Sequence, residues 1–218
     1  MFGRTCFHCY VSASHQHRYA TPASFAYSLR KIVAAVSLCT IIGVGASANT
    51  TQDVGLRVGD KAPSFSLKDQ NGNDVSLDSL IKKGPVALLF FRSADWCLSC
   101  ELQLIKLQRH VKEFEAAGGQ LVGISYDSPK TLKCFADKRS ITIPILSDTG
   151  SKTIDAYGVR EARDDLASKG VARHVIIVVD RKGVIRAKRF GVIYDERPGV
   201  EAVVNALKEA QKSLGATP

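Results

Sequence analysis

Apolar positions along this chain switch between three spacings, and each spacing predicts an element. In GDKAPSFSLKDQNGNDVSL, residues 59–77, Phe65 and Leu67 alternate with polar neighbours and Asn71-Gly72 supplies a turn, which predicts a β-hairpin. Pro85 then opens VALLFF, residues 86–91, an uninterrupted run suited to a strand covered on both faces. From Cys97 to Ala117 the spacing becomes helical, with Cys100, Leu104, Leu107, Val111 and Phe114 on one side and Gly118-Gly119 as the stop. LVGISY, residues 121–126, predicts a second buried strand. Ser128-Pro129 predicts a helix start, as cap and first-turn proline, for a helix running to about Arg139. ITIPIL, residues 141–146, reads as a short strand, and Lys152 to Tyr157 as a short helix. VIIVVD (175–180) and VIRAKRF (184–190) form a strand pair across Arg181-Lys182-Gly183. Pro198 opens a last helix, striped by Val200, Val203, Val204, Leu207 and Leu214.

A hairpin, alternating strands and helices, a strand pair and a closing helix together imply an α/β fold: a mixed central β-sheet flanked by helices, with an N-terminal β-hairpin extension. No internal repeat interrupts the order, so one domain is expected over 58–215, preceded by a leader at 49–57. At 218 residues, 45% hydrophobic and 23% charged, the chain is long enough for one substantial core.

Charge is informative through its distribution. Of the net +9, four charges come from Arg4, Arg18, Arg30 and Lys31, in 48 residues free of Asp and Glu, which leaves +5 along the rest with no basic block in the sequence. Nucleic-acid binding therefore has little support. The N-terminal asymmetry has another source: Arg30-Lys31, the apolar IVAAVSLCTIIGVG at 32–45 and Ala46-Ser47-Ala48 make a charged flank, an apolar segment and a small-x-small cleavage site. This predicts a targeting region, residues 1–48, removed on export to the periplasm or outside. The alternative is an organellar transit peptide. The apolar segment is shorter than the ~20 residues that span a bilayer, so no permanent membrane span is expected.

Removal of 1–48 takes Cys6, Cys9 and Cys39 with it and leaves Cys97, Cys100 and Cys134, too few for a disulfide framework. Cys97 falls where a buried strand hands over to a helix, the place where reactive groups gather in such sheets. The free N–H groups and partial positive charge of a helix start favour a thiolate, which marks Cys97 as the nucleophile. Cys100 lies one turn on, within reach to resolve a mixed disulfide. The chemistry expected from the spacing is thiol–disulfide exchange with protein or small-molecule disulfides and thiols, with no organic cofactor because no glycine-rich dinucleotide loop is present.

Trp96-Cys97-Leu98-Ser99-Cys100 resembles the W-C-x-x-C centre of the thioredoxin superfamily. GDKAPSFSLKDQNG, ISYDSPKTLKCFADK, ILSD at 145–148 and VVDRKG at 178–183 are similar to its redoxin branch, which holds the alkyl hydroperoxide reductase C and thiol-specific antioxidant proteins. The likeness covers about Val58 to Phe190. It implies a thioredoxin-like fold and an antioxidant alternative, a peroxidase acting on hydroperoxides. That family's reactive cysteine follows a proline by seven residues and a threonine or serine by three. With Cys100 in that role, Ser93 and Cys97 stand at those two places. Arg173 is the candidate for the family's assisting arginine, one residue out of register counted from Asp180, and Cys134 for a resolving partner. Thioredoxins place a cis-proline six residues before the closing aspartate, where this chain has His174, an imidazole able to assist Cys97.

Other readings of these side chains stand beside the redox one. A zinc site needs two ligands beyond the pair, and only Cys134, His110 and His174 remain, scattered through the sequence. Cys97, Cys100 and His174 would suit Cu(I), as in copper chaperones of the same fold, which however use three residues between the cysteines. Trp96 reads as core packing that also shields the dithiol.

Overall fold

The computed structural model describes residues 55–167, 169–190 and 199–212, all within one compact unit. Residues 1–48, expected from the sequence to be a targeting region, lie outside the described residues, as do most of the expected leader, Pro198 and Leu214. The hairpin is β1 (Ser66–Asp69) and β2 (Asp74–Ser76), antiparallel, with Leu67 opposite Val75. Its loop is organised by Asp69, whose Oδ1 accepts the backbone N–H of Asn71 and Asn73, while Gly72 takes the left-handed φ of 86°. A helix absent from the sequence reading follows: α1 (Leu77–Lys83), begun by a reciprocal capping box between Ser76 and Ser79.

VALLFF becomes β3 (Val86–Phe90), and all five of its residues are fully buried. It pairs parallel with β4 (Gln120–Ser125) and antiparallel with β6 (Val175–Val179). β5 (Ile145–Ser147) joins β4 in parallel, and β7 (Ile185–Phe190) closes the far edge, giving the order β2-β1-β5-β4-β3-β6-β7. The mixed sheet expected from the alternation is therefore present. Only Ile145 and Leu146 of ITIPIL enter a strand, because side chains take up the earlier backbone groups. Gln108 Oε1 accepts the N–H of Thr142 and Ile143, and Gln70 Oε1 that of Ile145.

The helical stretch after Cys97 divides into α2 (Leu98–Arg109) and α3 (Val111–Ala116) at His110, whose Nδ1 lies within hydrogen-bond distance of Glu113 Oε1, at 2.6 Å. α4 (Pro129–Arg139) starts at Ser128 and Pro129 as read, with the Ser128 hydroxyl accepting Thr131 N–H. α5 (Lys152–Ala156), α6 (Asp164–Ala167) and α7 (Val200–Lys212) complete the fold. No helix among the described residues is long and apolar enough to cross a membrane.

Two cores lie on the two faces of the sheet, as period-two alternation demands. Ala87, Leu89 and Phe91 face one core with α2, α4 and α7, and Val86, Leu88 and Phe90 face the other with α1 and α5. The first contains Cys97 and Cys100, with Leu104 fully buried one turn beyond Cys100. Leu104→Ala is expected to lower unfolding free energy by about 2–5 kcal/mol, because the cavity cannot fully collapse between α2 and β3. Urea unfolding followed by far-ultraviolet circular dichroism measures it, and a loss below about 1 kcal/mol would contradict this packing.

Candidate active site

The dithiol hangs from the C-terminal end of β3. Cys97 is the N-cap of α2, and its carbonyl accepts the N–H of Cys100 at 2.8 Å and of Glu101 at 3.0 Å. This turn brings the two Cα atoms to 5.2 Å, and the sulfurs are joined as a disulfide. Both residues are buried, Cys97 at 4% exposure and Cys100 at 1%, which leaves Cys97 the more accessible. Ser99 Oγ lies 3.6 Å from Cys97 Sγ, near enough for its hydroxyl to donate to a thiolate formed there.

The loop between β3 and α2 is held by a group that the sequence reading passed over. Asp127, just past the end of β4, accepts the Ser93 hydroxyl on Oδ1 at 2.8 Å, and the Ala94 N–H and Ser125 hydroxyl on Oδ2, each at 2.8 Å. Ser93 in turn accepts Asp95 N–H at 3.0 Å, and Ser147 donates to the Asp127 carbonyl at 2.7 Å. Burial pushes the Asp127 carboxyl above its usual 3.8, against the lowering pull of its bonds from Ala94, Ser125 and Ser93. A carboxylate at the end of a buried strand was the available signal. Which groups would meet it was not.

Trp96 is not core packing: it is 43% exposed. Its indole N–H donates to the Tyr126 hydroxyl at 2.9 Å, and the Arg92 guanidinium lies over the ring, 4.8 Å from its centroid. These two contacts fix it at the surface because an indole N–H left without a partner in the core is costly, while a cation over the ring is favourable. Leu98 and Leu102, 64% and 59% exposed, extend an apolar rim along α2 beside it.

The other sequence candidates separate. Val175 pairs with Phe90, and Ile176 and Val178 share the core of the two cysteines. His174 directly precedes Val175, the first residue of β6, and so belongs to the segment at the dithiol's end of the sheet. Arg173 is engaged elsewhere. Its backbone N–H donates to Val159, part of the opposite core, and its side chain lies 3.9 Å from Glu161. Cys134 sits half-buried on α4 and takes no part in the disulfide. Among the described residues, no group of three or more His, Cys, Asp or Glu is arranged to hold a metal ion.

The raised Asp127 pKa has a definite sign. The folded chain keeps a proton there that the unfolded chain gives up, so this group's contribution to stability falls as pH rises from 3.8 through the folded-state value. Asp127→Asn retains the shape without the ionisation. Wild type is expected to lose stability relative to this variant as pH rises above 3.8 in denaturant titrations. A gap that stays flat or changes in wild type's favour would contradict the assignment.

Comparison with known proteins agrees with this architecture. Residues 58–188 match the model of the AhpC/TSA family. Alkyl hydroperoxide reductase E of Mycobacterium tuberculosis is 35% identical over 153 residues, covering 68% of this chain and 96% of that protein. Chloroplastic peroxiredoxin Q of Populus jackii is 33% identical over 149 residues, 67% of each chain. The crystal structure of peroxidoxin BcpB from M. tuberculosis superposes with a TM-score of 0.62 at 23% identity, covering 73% of this chain and 98% of the other, which supports the thioredoxin-like fold. By family match and identity over two thirds of its length, the chain belongs to the AhpC/TSA family and is a peroxiredoxin-like, thiol-dependent oxidoreductase.

Proposed function

We propose that the chain is a thiol–disulfide oxidoreductase with Cys97 as nucleophile and Cys100 as resolving thiol. The observation that carries this reading is the Cys97–Cys100 disulfide across the first turn of α2, with Cys97 at the N-cap. In the reduced state the Cys97 thiolate attacks a substrate disulfide, forms a mixed disulfide and expels one substrate thiolate. Cys100 then attacks Cys97 Sγ, releases the second thiolate and closes the intramolecular bond, so two electrons pass to the substrate. A thiol donor restores the dithiol. His174, next to the start of β6 at the dithiol's end of the sheet, carries a proton between Cys100 and the leaving thiolate.

A second reading is favoured by the relatives, one of them an alkyl hydroperoxide reductase and another a peroxiredoxin. Here the Cys100 thiolate takes the terminal oxygen of a hydroperoxide, giving an alcohol and a sulfenic acid. Condensation with the Cys97 thiol forms the same disulfide and water. The two readings differ in oxidant and in which sulfur attacks, but share the product.

Exchange of the reduced chain with a model protein disulfide distinguishes them. Cys97→Ser is expected to abolish exchange, Cys100→Ser to trap the mixed disulfide, and His174→Ala to slow exchange by about 10²-fold at neutral pH. Rapid thiol loss with stoichiometric hydroperoxide in Cys97→Ser, together with little exchange in wild type, would replace the first reading with the second.

Export with cleavage after Ala48 is part of the same proposal, supported by the charged flank, apolar run and Ala46-Ser47-Ala48. The chloroplastic relative supports the organellar alternative. Intact mass of the chain recovered from its native cell is expected to start it at Asn49. A chain that retains residues 30–48 would overturn cleavage there.

A further inference from the structure

The sequence shows no basic block, yet folding builds one at the end of the sheet remote from the dithiol. Three segments meet there: the chain entering at Arg57–Lys61, the C-terminus of α1, and the turn between β6 and β7. Lys61 pairs with Val184 in an isolated bridge and its Nζ donates to the Lys182 carbonyl, while Arg181 Nη2 donates to the Lys82 carbonyl at 3.0 Å. Arg57, Lys61, Lys82, Lys83, Arg181 and Lys182 are all exposed, against one exposed carboxylate on these segments, Asp60. Asp180 is buried and engaged by Arg186 at 2.7 Å, so it neutralises none of the six. Among the described residues none of the six side chains makes an ion pair with a carboxylate within 4.0 Å.

A second observation selects the kind of partner. The turn at Arg57–Asp60 is closed on itself, with Arg57 N–H donating to Asp60 Oδ2 at 2.7 Å and Asp60 N–H to the Arg57 carbonyl at 3.1 Å. At its tip Val58 is 57% exposed, an aliphatic side chain presented beside the cations. Nucleic-acid surfaces reward cations interleaved with aromatic platforms, and residues 57–61, 81–83 and 181–184 contain no aromatic residue. An aliphatic tip among lysines instead matches the boundary of an anionic bilayer, where headgroup phosphates meet the cations and the acyl region meets the apolar side chain.

We infer that this end of the molecule is a peripheral docking surface for anionic lipid bilayers. Val86 at the start of β3 pairs with Val179 just before the basic turn, whereas the dithiol follows Phe90 at its other end. Docking therefore leaves the dithiol facing the aqueous phase, open to soluble partners.

The test is co-sedimentation of the full chain with vesicles of phosphatidylcholine containing about 30% phosphatidylglycerol, against phosphatidylcholine alone. Every variant keeps residues 32–45, so any contribution from that apolar segment is common to all. Wild type is expected to prefer the anionic vesicles and to release as salt rises from about 0.05 to 0.5 M. Lys82→Glu/Lys83→Glu should weaken binding by on the order of 30-fold or more. Val58→Ser should weaken it about fivefold. Disulfide exchange should be unchanged in each, which shows that the fold is intact. Equal binding to both vesicles, or unchanged binding of the charge-reversed chain, would overturn the inference. A Val58→Ser variant indistinguishable from wild type would overturn lipid insertion in favour of simple adhesion to polyanions. Duplex DNA bound as tightly as anionic vesicles would do the same.

Discussion

The hydrogen bonds that converge on the buried Asp127 carboxylate hold the rest of the site in place. β3 ends at Phe90, and the chain must cross from a buried strand to the first turn of α2 without losing the position of Cys97. Asp127 lies on the neighbouring strand's exit and takes three donors, two of them from that crossing at Ser93 and Ala94. The carboxylate thus ties the ends of two parallel strands to the loop that carries the chemistry. Burial makes the tie expensive in charge, and the number of donors is what makes it tolerable.

This arrangement also bears on how the chain departs from the pattern of its family. With Cys100 set at the place of the family's reactive cysteine, the peroxiredoxin pattern would put proline at position 93, where a fixed φ stiffens the loop. Ser93 achieves order by a different route, donating to Asp127 and accepting from Asp95. Four residues on, the same alignment sets Cys97 where the family keeps threonine or serine, and its sulfur is bonded to Cys100. The replacement that creates a dithiol therefore sits at one end of a loop whose other end has been re-secured by a hydroxyl.

Much of this was legible in the sequence, for reasons of range. The VALLFF strand, the α4 start and the placement of Cys97 and Cys100 follow from neighbours within a few residues, and the structure has them as the pattern implied. α1 was missed because its seven residues give little periodicity, although its capping box was written in Ser76 and Ser79. ITIPIL shortened because Gln70 and Gln108, far away in sequence, supply its hydrogen bonds. Trp96 reads in the sequence as core packing that shields the dithiol, and contacts from Tyr126 and Arg92 hold it outside. The Asp127 bonds and the cationic end share one cause: each is assembled from segments that only the sheet brings together.

Trp96 is the only tryptophan in the chain, and it adjoins the one disulfide the described residues contain. Because its indole is wedged between Tyr126 and Arg92 and half-open to water, its emission depends on a single local environment. The chain thereby carries its own optical gauge of the dithiol, with no other indole to dilute the signal and no label to be attached.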